Sequence, residues 1–152
     1  MALAAPSALD THLGFWLRAV SNAVSSAFAE RLAAKGISVA EWVMLRILWD
    51  GAGLAPSVLA AKMDMTRGGV TKLADRLIAK GLVHRQASPD DGRSQTLALT
   101  PAGRASTPGL AALADANDAA FFGALPAADR ETLERLLRRI VEQSRLPAMP
   151  ID

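Results

Sequence analysis

The chain has 152 residues, 51% apolar and 21% charged, with no Cys, no Tyr and two His. That is the composition of one folded domain, and it excludes a disordered chain, disulfides, thiolate metal sites, cysteine nucleophiles and thiol redox switching. The net charge is only +2, but residues 56–104 carry +4 and the remainder −2, a pattern that fits a polyanion partner or an ordinary solvated surface.

The first helix is predicted from about Ser7 to Lys35. Leu9, Leu13, Trp16, Leu17, Val20, Val24, Phe28 and Leu32 recur at three- and four-residue steps, one apolar stripe. Ser7 or Asp10 is the expected cap and Gly36 the stop. A helix of this length is expected to pack against something extended, such as a second chain. Ser38-Val-Ala-Glu41 is a capping box that opens a second helix, running to about Trp49 and apolar around much of its circumference.

Leu54-Ala-Pro56 is a short extended piece. Pro56 suits the first turn of a third helix, ending near Met63. Asp64-Met65 makes a tight turn, and Thr66 caps a fourth helix that Gly81 terminates. Two short helices on so brief a turn have helix-turn-helix proportions. Leu82 to Gln86 and Thr96 to Thr100 read as two strands around the turn Ser88-Pro-Asp-Asp-Gly92. Thr100-Pro101 starts a fifth helix to about Ala124, with a kink or short break expected at Pro108-Gly109. A sixth, from about Ala127 to Arg145, carries Leu133, Leu136, Leu137, Ile140 and Val141 on one stripe.

The expected fold is mainly α with a small β-hairpin wing: a winged helix-turn-helix flanked by dimerisation helices. Asp91-Gly-Arg93-Ser-Gln-Thr-Leu97-Ala-Leu99-Thr100-Pro-Ala-Gly103 resembles the wing of the MarR family of bacterial transcriptional regulators. Val70-Thr-Lys72-Leu-Ala-Asp75-Arg76-Leu77, then Lys80-Gly-Leu-Val83, resembles that family's recognition helix and first wing strand. The detailed match covers about Ile37 to Gly103; the flanking helices match in order and length. The resemblance implies a homodimer on a pseudo-palindromic operator. Residues 1–36 and 101–152 would form the dimerisation region and 37–100 the DNA-binding lobe, in one intertwined domain. Where the family usually has a small residue in the turn, this chain has Asp64, which tolerates a left-handed backbone. Where it often has Ser or Thr, this chain has Gly68 and Gly69, which offer no side chain to a base.

On a helical wheel Val70, Leu73, Ala74, Leu77 and Ile78 share the core side. Gly68, Gly69, Lys72, Asp75, Arg76 and Ala79 face outward, with Thr71 on the flank. Thr66 and Arg67 lie in the first turn, where a recognition helix meets base edges. Arg67 suits a guanine, and Lys72 and Arg76 suit phosphates. The glycines suit close approach of backbone to DNA or mark only a weak first turn. By the resemblance Arg93 enters the minor groove and Asp91 orients it; an ordinary surface ion pair is the alternative. Arg85 suits a phosphate or a solvated strand face equally.

The same family often binds small aromatic acids between the dimer helices and the DNA-binding lobe. Trp16, Trp42, His12, Arg18 and Arg46 would supply aromatic walls and cations for such an effector, although Trp at a stripe position more often packs in the core. Nothing supports an enzyme, a metal or a cofactor: His12 and His84 lack ligand spacing, and no nucleophile elbow or phosphate-binding loop is present. No apolar run reaches the ~18 residues of a membrane span. The N-terminus lacks the basic region of a secretory signal, so a cytoplasmic protein is expected. The reading is a DNA-binding regulator, a repressor by preference. The alternative is a winged-helix interaction module without independent DNA binding, which the Gly68-Gly69 pair motivates.

Overall fold

The computed structural model describes residues 3–88, 90 and 92–147. A 3-10 turn, Leu9–Thr11, precedes α1, Leu13–Ala33. The helix starts later than either cap expected from the sequence. Asp10 gives its carbonyl to Trp16 Nε1 at 2.9 Å, and the Ser7 hydroxyl shares a 3.3 Å hydrogen bond with His12 Nε2. Those contacts stabilise the 3-10 turn, and His12 becomes the flanking residue with no side-chain cap.

The expected capping box forms at α2, Val39–Trp49: Ser38 Oγ accepts from the Glu41 amide at 3.1 Å, and Glu41 Oε1 accepts from the Ser38 amide at 3.3 Å. Pro56 opens α3, Pro56–Met63. Asp64 then turns the chain at φ 51°, ψ 46°, the left-handed conformation in which Asp substitutes for glycine. The Thr66 hydroxyl accepts from the Gly69 amide at 3.0 Å and starts α4, Arg67–Ala79. Gly81, at φ +74°, ends it. Its amide reaches the Ile78 carbonyl and the next amide, of Leu82, reaches Leu77, which is the Schellman closure of a helix end.

Strands β1, Val83–Ala87, and β2, Gln95–Leu99, pair antiparallel with Arg85 opposite Leu97. Leu54 adds a single bridge on the far side of Leu97, with both backbone bonds under 3 Å. The wing is thereby anchored to the segment before α3. Thr100 caps α5, Pro101–Phe122, through the Gly103 amide, and α6 spans Ala127–Gln143. No break occurs at Pro108: α5 is one helix of 22 residues. Pro108 removes one helical hydrogen bond, but it is exposed, and α5 packs against both α1 and α2. One missing bond at the surface does not outweigh that packing.

The core is drawn almost wholly from the middle of the chain. Met44, Leu45, Leu48, Leu59, Met63, Val70, Leu77, Val83 and Leu97 are all at most 1% exposed. Each such side chain contributes about 1.5–3 kcal/mol by leaving water. By contrast α1 buries only Leu32, and α6 buries none of its residues. Leu13, Trp16, Leu17 and Val20 of α1, and Leu133, Leu136, Leu137 and Ile140 of α6, stay exposed in the single chain. The stripe of α6 and the N-terminal part of that of α1 are therefore largely uncovered, while Phe28 and Leu32 at the C-terminal end of α1 join the core.

Candidate nucleic-acid interface

The α4 helix divides as its periodicity requires. Val70, Leu73, Ala74 and Leu77 are buried and Ile78 is half-buried against them, while Gly68, Thr71, Lys72, Asp75, Arg76 and Ala79 are exposed and Gly69 is partly so. The buried side fixes the helix on α2 and α3, so the outward side is presented as a rigid surface. Thr66 and Arg67, both exposed, sit at its N-terminal end. That end carries the partial positive charge of the helix dipole, which favours an anion.

Among the described residues, Arg67, Lys72 and Arg76 form no ion pair. Asp75 is the one acid of α4, and it is held by Arg85 of β1 at 2.6 Å. Arg85 is therefore a brace between α4 and the hairpin. Its pairing offsets the carboxylate that would otherwise oppose a phosphate backbone. Thr71 donates its hydroxyl to the Arg67 carbonyl at 3.0 Å, which leaves only its acceptor side toward solvent.

The two glycines differ. A Cβ on Gly68 would meet nothing within 4 Å, whereas one on Gly69 would come within 3.1 Å of Met65 Cε and 3.2 Å of Thr66 Oγ1. Gly69 thus has a local packing reason and Gly68 has none. Arg93 is exposed in the hairpin loop; Asp91, its expected orienting partner, lies outside the described residues.

The five residues expected to hold an effector are spread over α1 and α2. His12 flanks α1, exposed, its Nδ1 3.2 Å from the Leu9 carbonyl. Trp16 is 55% exposed, with its ring edge-on to Phe15 at 5.2 Å. Arg18 is exposed, and Trp42 is half-buried against the core. Arg46 pairs with Asp50 at 2.8 Å. Among the described residues no hydrogen bond or ring contact joins the α1 group to Trp42 or Arg46. A groove of about 690 Å³ lies elsewhere, between α5 and α6, lined by Phe122, Leu133, Leu137 and Val141 among others.

Sequence reasoning missed the long-range ties around this surface. Arg104 of α5 lies over the Trp49 ring at 4.9 Å and donates to the Trp49 carbonyl. Lys80, at the end of α4, pairs with the buried Glu41 at 2.6 Å. Neither partner choice leaves a trace in local spacing.

Residues 35–94 match the model of the MarR family. A Thauera aromatica protein named as a transcriptional regulatory protein for the hcr operon is 35% identical over 144 residues, 90% of this chain and 83% of its own. The chain belongs to the MarR family. An HTH-type transcriptional repressor of Mycobacterium tuberculosis is 30% identical over 86% of this chain and 94% of its own. Among solved structures, CouR from Rhodococcus jostii RHA1, bound to p-coumaroyl-CoA, superposes with a TM-score of 0.76 at 28% identity, covering 89% of this chain and 95% of that one. Wild-type MarR from E. coli gives 0.71 at 27%, covering 86% and 97%. As a MarR-family member the chain is a DNA-binding transcriptional regulator with a winged helix-turn-helix, and not an enzyme. No helix among the described residues is long and apolar enough to cross a membrane.

Proposed function

We propose that this MarR-family regulator is a homodimeric repressor, that it binds a pseudo-palindromic operator, and that a small aromatic acid releases it. The observation that carries the reading is the outward face of α4. Arg67, Lys72 and Arg76 stand exposed there with no ion pair among the described residues, on a helix whose opposite face is locked into the core. Arg67 at the N-terminal end suits a base edge, and Lys72 and Arg76 suit the flanking phosphates. Arg93 on the wing suits the adjacent minor groove.

Two such helices must sit about one DNA turn, ~34 Å, apart to enter successive major grooves. The uncovered apolar faces of α1 and α6 support pairing of two chains, which would fix that distance. Repression is favoured by the named relative from Mycobacterium tuberculosis. An aromatic effector is favoured by the acyl ligand of CouR and by the exposed Trp16 ring with Arg18 nearby in sequence. Arg46 would have to exchange Asp50 for the ligand carboxylate. An effector lowers DNA affinity only by binding a second spacing of the lobes more tightly than the DNA-competent one.

Footprinting on the DNA upstream of the chain's own gene, with and without salicylate, tests the reading. Protection of two half-sites one turn apart, lost on adding the acid, is expected. Protection that millimolar salicylate leaves intact removes the aromatic-acid part. Absence of any protected segment favours the interaction-module alternative.

A further inference from the structure

Lys80 stands just past the C-terminal end of α4, at the opposite end from Arg67. Its ammonium donates to Glu41 Oε2 at 2.6 Å and to the Gly36 carbonyl at 2.5 Å. Glu41 is only 5% exposed at its side chain, and its other oxygen takes the Ser38 amide. Gly36, at φ +71°, is the residue on which the chain leaves α1 for α2. One side chain therefore ties three elements: the end of the reading helix, the first turn of α2, and the corner that closes α1.

We infer that Lys80 is a positioning residue for operator recognition, which sets the tilt of α4 by anchoring its far end to the α1–α2 corner through Glu41 and Gly36. The inference rests on the reading of α4 as the DNA-reading helix. Its 13 residues span about 20 Å, so a tilt of roughly 5° moves one end by nearly 2 Å, beyond the tolerance of a hydrogen bond to a base. The apolar face of α4 resists translation, but apolar contacts are non-directional and constrain rotation poorly. A short bond at the end of the lever constrains it well. Glu41 gives the anchor its direction: a buried carboxylate left without its cation is costly, so the pair re-forms rather than drifting.

The rival role for an exposed lysine on this helix is direct contact with phosphate, and the two roles separate experimentally. The probes are a duplex selected by the full-length protein from a random-sequence pool and an unselected duplex of the same length. The variants are Lys80→Met, Glu41→Gln, Lys80→Arg and the pair Glu41→Gln with Lys80→Met. The expected result for Lys80→Met is a roughly tenfold loss of affinity for the selected duplex, within the range for coupled residues. Affinity for the unselected duplex and the salt slope should stay as in the unmutated protein. Glu41→Gln should lose a similar factor although it keeps the lysine, the pair should lose no more than either single, and Lys80→Arg should recover most of the loss.

A phosphate contact would instead lower both affinities together and reduce the salt slope by about 1. That result, or unchanged affinity in both single variants at intact melting temperature, overturns the inference. If Lys80→Met fails to fold, the pair, with no carboxylate left unpaired, decides between the same outcomes. If the unmutated protein selects no duplex from the pool, the DNA-reading role of α4 itself has failed, and the positioning role of Lys80 with it.

Discussion

Gly103 in the first turn of α5 lies so close to Leu82 that a Cβ at this position would overlap the Leu82 carbonyl oxygen. That oxygen also accepts the Thr100 amide at 3.1 Å, while the Thr100 hydroxyl donates to the Gly81 carbonyl at 2.6 Å. The start of α5 is thus seated on the turn between α4 and β1, backbone against backbone. Gly103→Ala should destabilise the protein by about 1–3 kcal/mol, toward the upper end because the obstructing atom belongs to the main chain. Urea unfolding checks this. An unchanged midpoint would mean that the junction yields more easily than its geometry indicates.

Gly68 supplies the complementary case. It lies in α4 with open space where a Cβ would be, so Gly68→Ala should raise stability by up to about 1 kcal/mol. If the backbone here approaches DNA closely, the same variant should bind the operator less tightly. A variant that melts higher and binds as well as the unmutated protein would show that the glycine marks only a weak first turn.

Arg93→Ala should shift stability by less than about 0.5 kcal/mol, since the residue is exposed in a hairpin loop. Its operator affinity should fall clearly. Thermal melting and fluorescence anisotropy, measured on one preparation, separate the two effects. Full affinity with unchanged melting would make the wing arginine irrelevant to DNA.

The apolar face of α6 leads to a prediction about assembly. Leu137 is 38% exposed in the single chain and lines the groove between α5 and α6. Light scattering should give a dimer for the unmutated protein. Leu137→Glu should give monomer or aggregate, because a carboxylate in that seam costs several kcal/mol. A stable, well-folded monomer of the unmutated chain would contradict the dimeric reading.

Local chemistry was legible in the sequence where one residue decides one turn. The Ser38 and Glu41 box, Pro56 at the start of α3, the left-handed Asp64, the Thr66 and Thr100 caps and the Gly81 stop each depend on neighbours within four residues. The start of α1 was misplaced because the Trp16 indole reaches back to the Asp10 carbonyl, a contact that no capping rule contains. Pro108 predicts a kink or a short break because its effect on an isolated helix is large; packing on α1 and α2 keeps α5 continuous here. The capping box accounted for one oxygen of Glu41, and the other went to a lysine 39 residues away. Partner choice at that separation is set by the fold, and periodicity carries no record of it. The outward set on α4 was legible because a period of 3.6 places it opposite the core. The ion pair that offsets Asp75 was not, because Arg85 arrives from a different element.

The central claim is that two copies of this chain read DNA through the outward face of α4. It is tested most directly by titrating the protein into the selected duplex and an unselected one, at salt concentrations from about 50 to 200 mM. The account predicts two chains per selected duplex, a preference of about 10³ or more over unselected DNA at physiological salt, and a steep fall of both affinities with salt. Equal affinity for the two duplexes, or one chain bound per site, would contradict it.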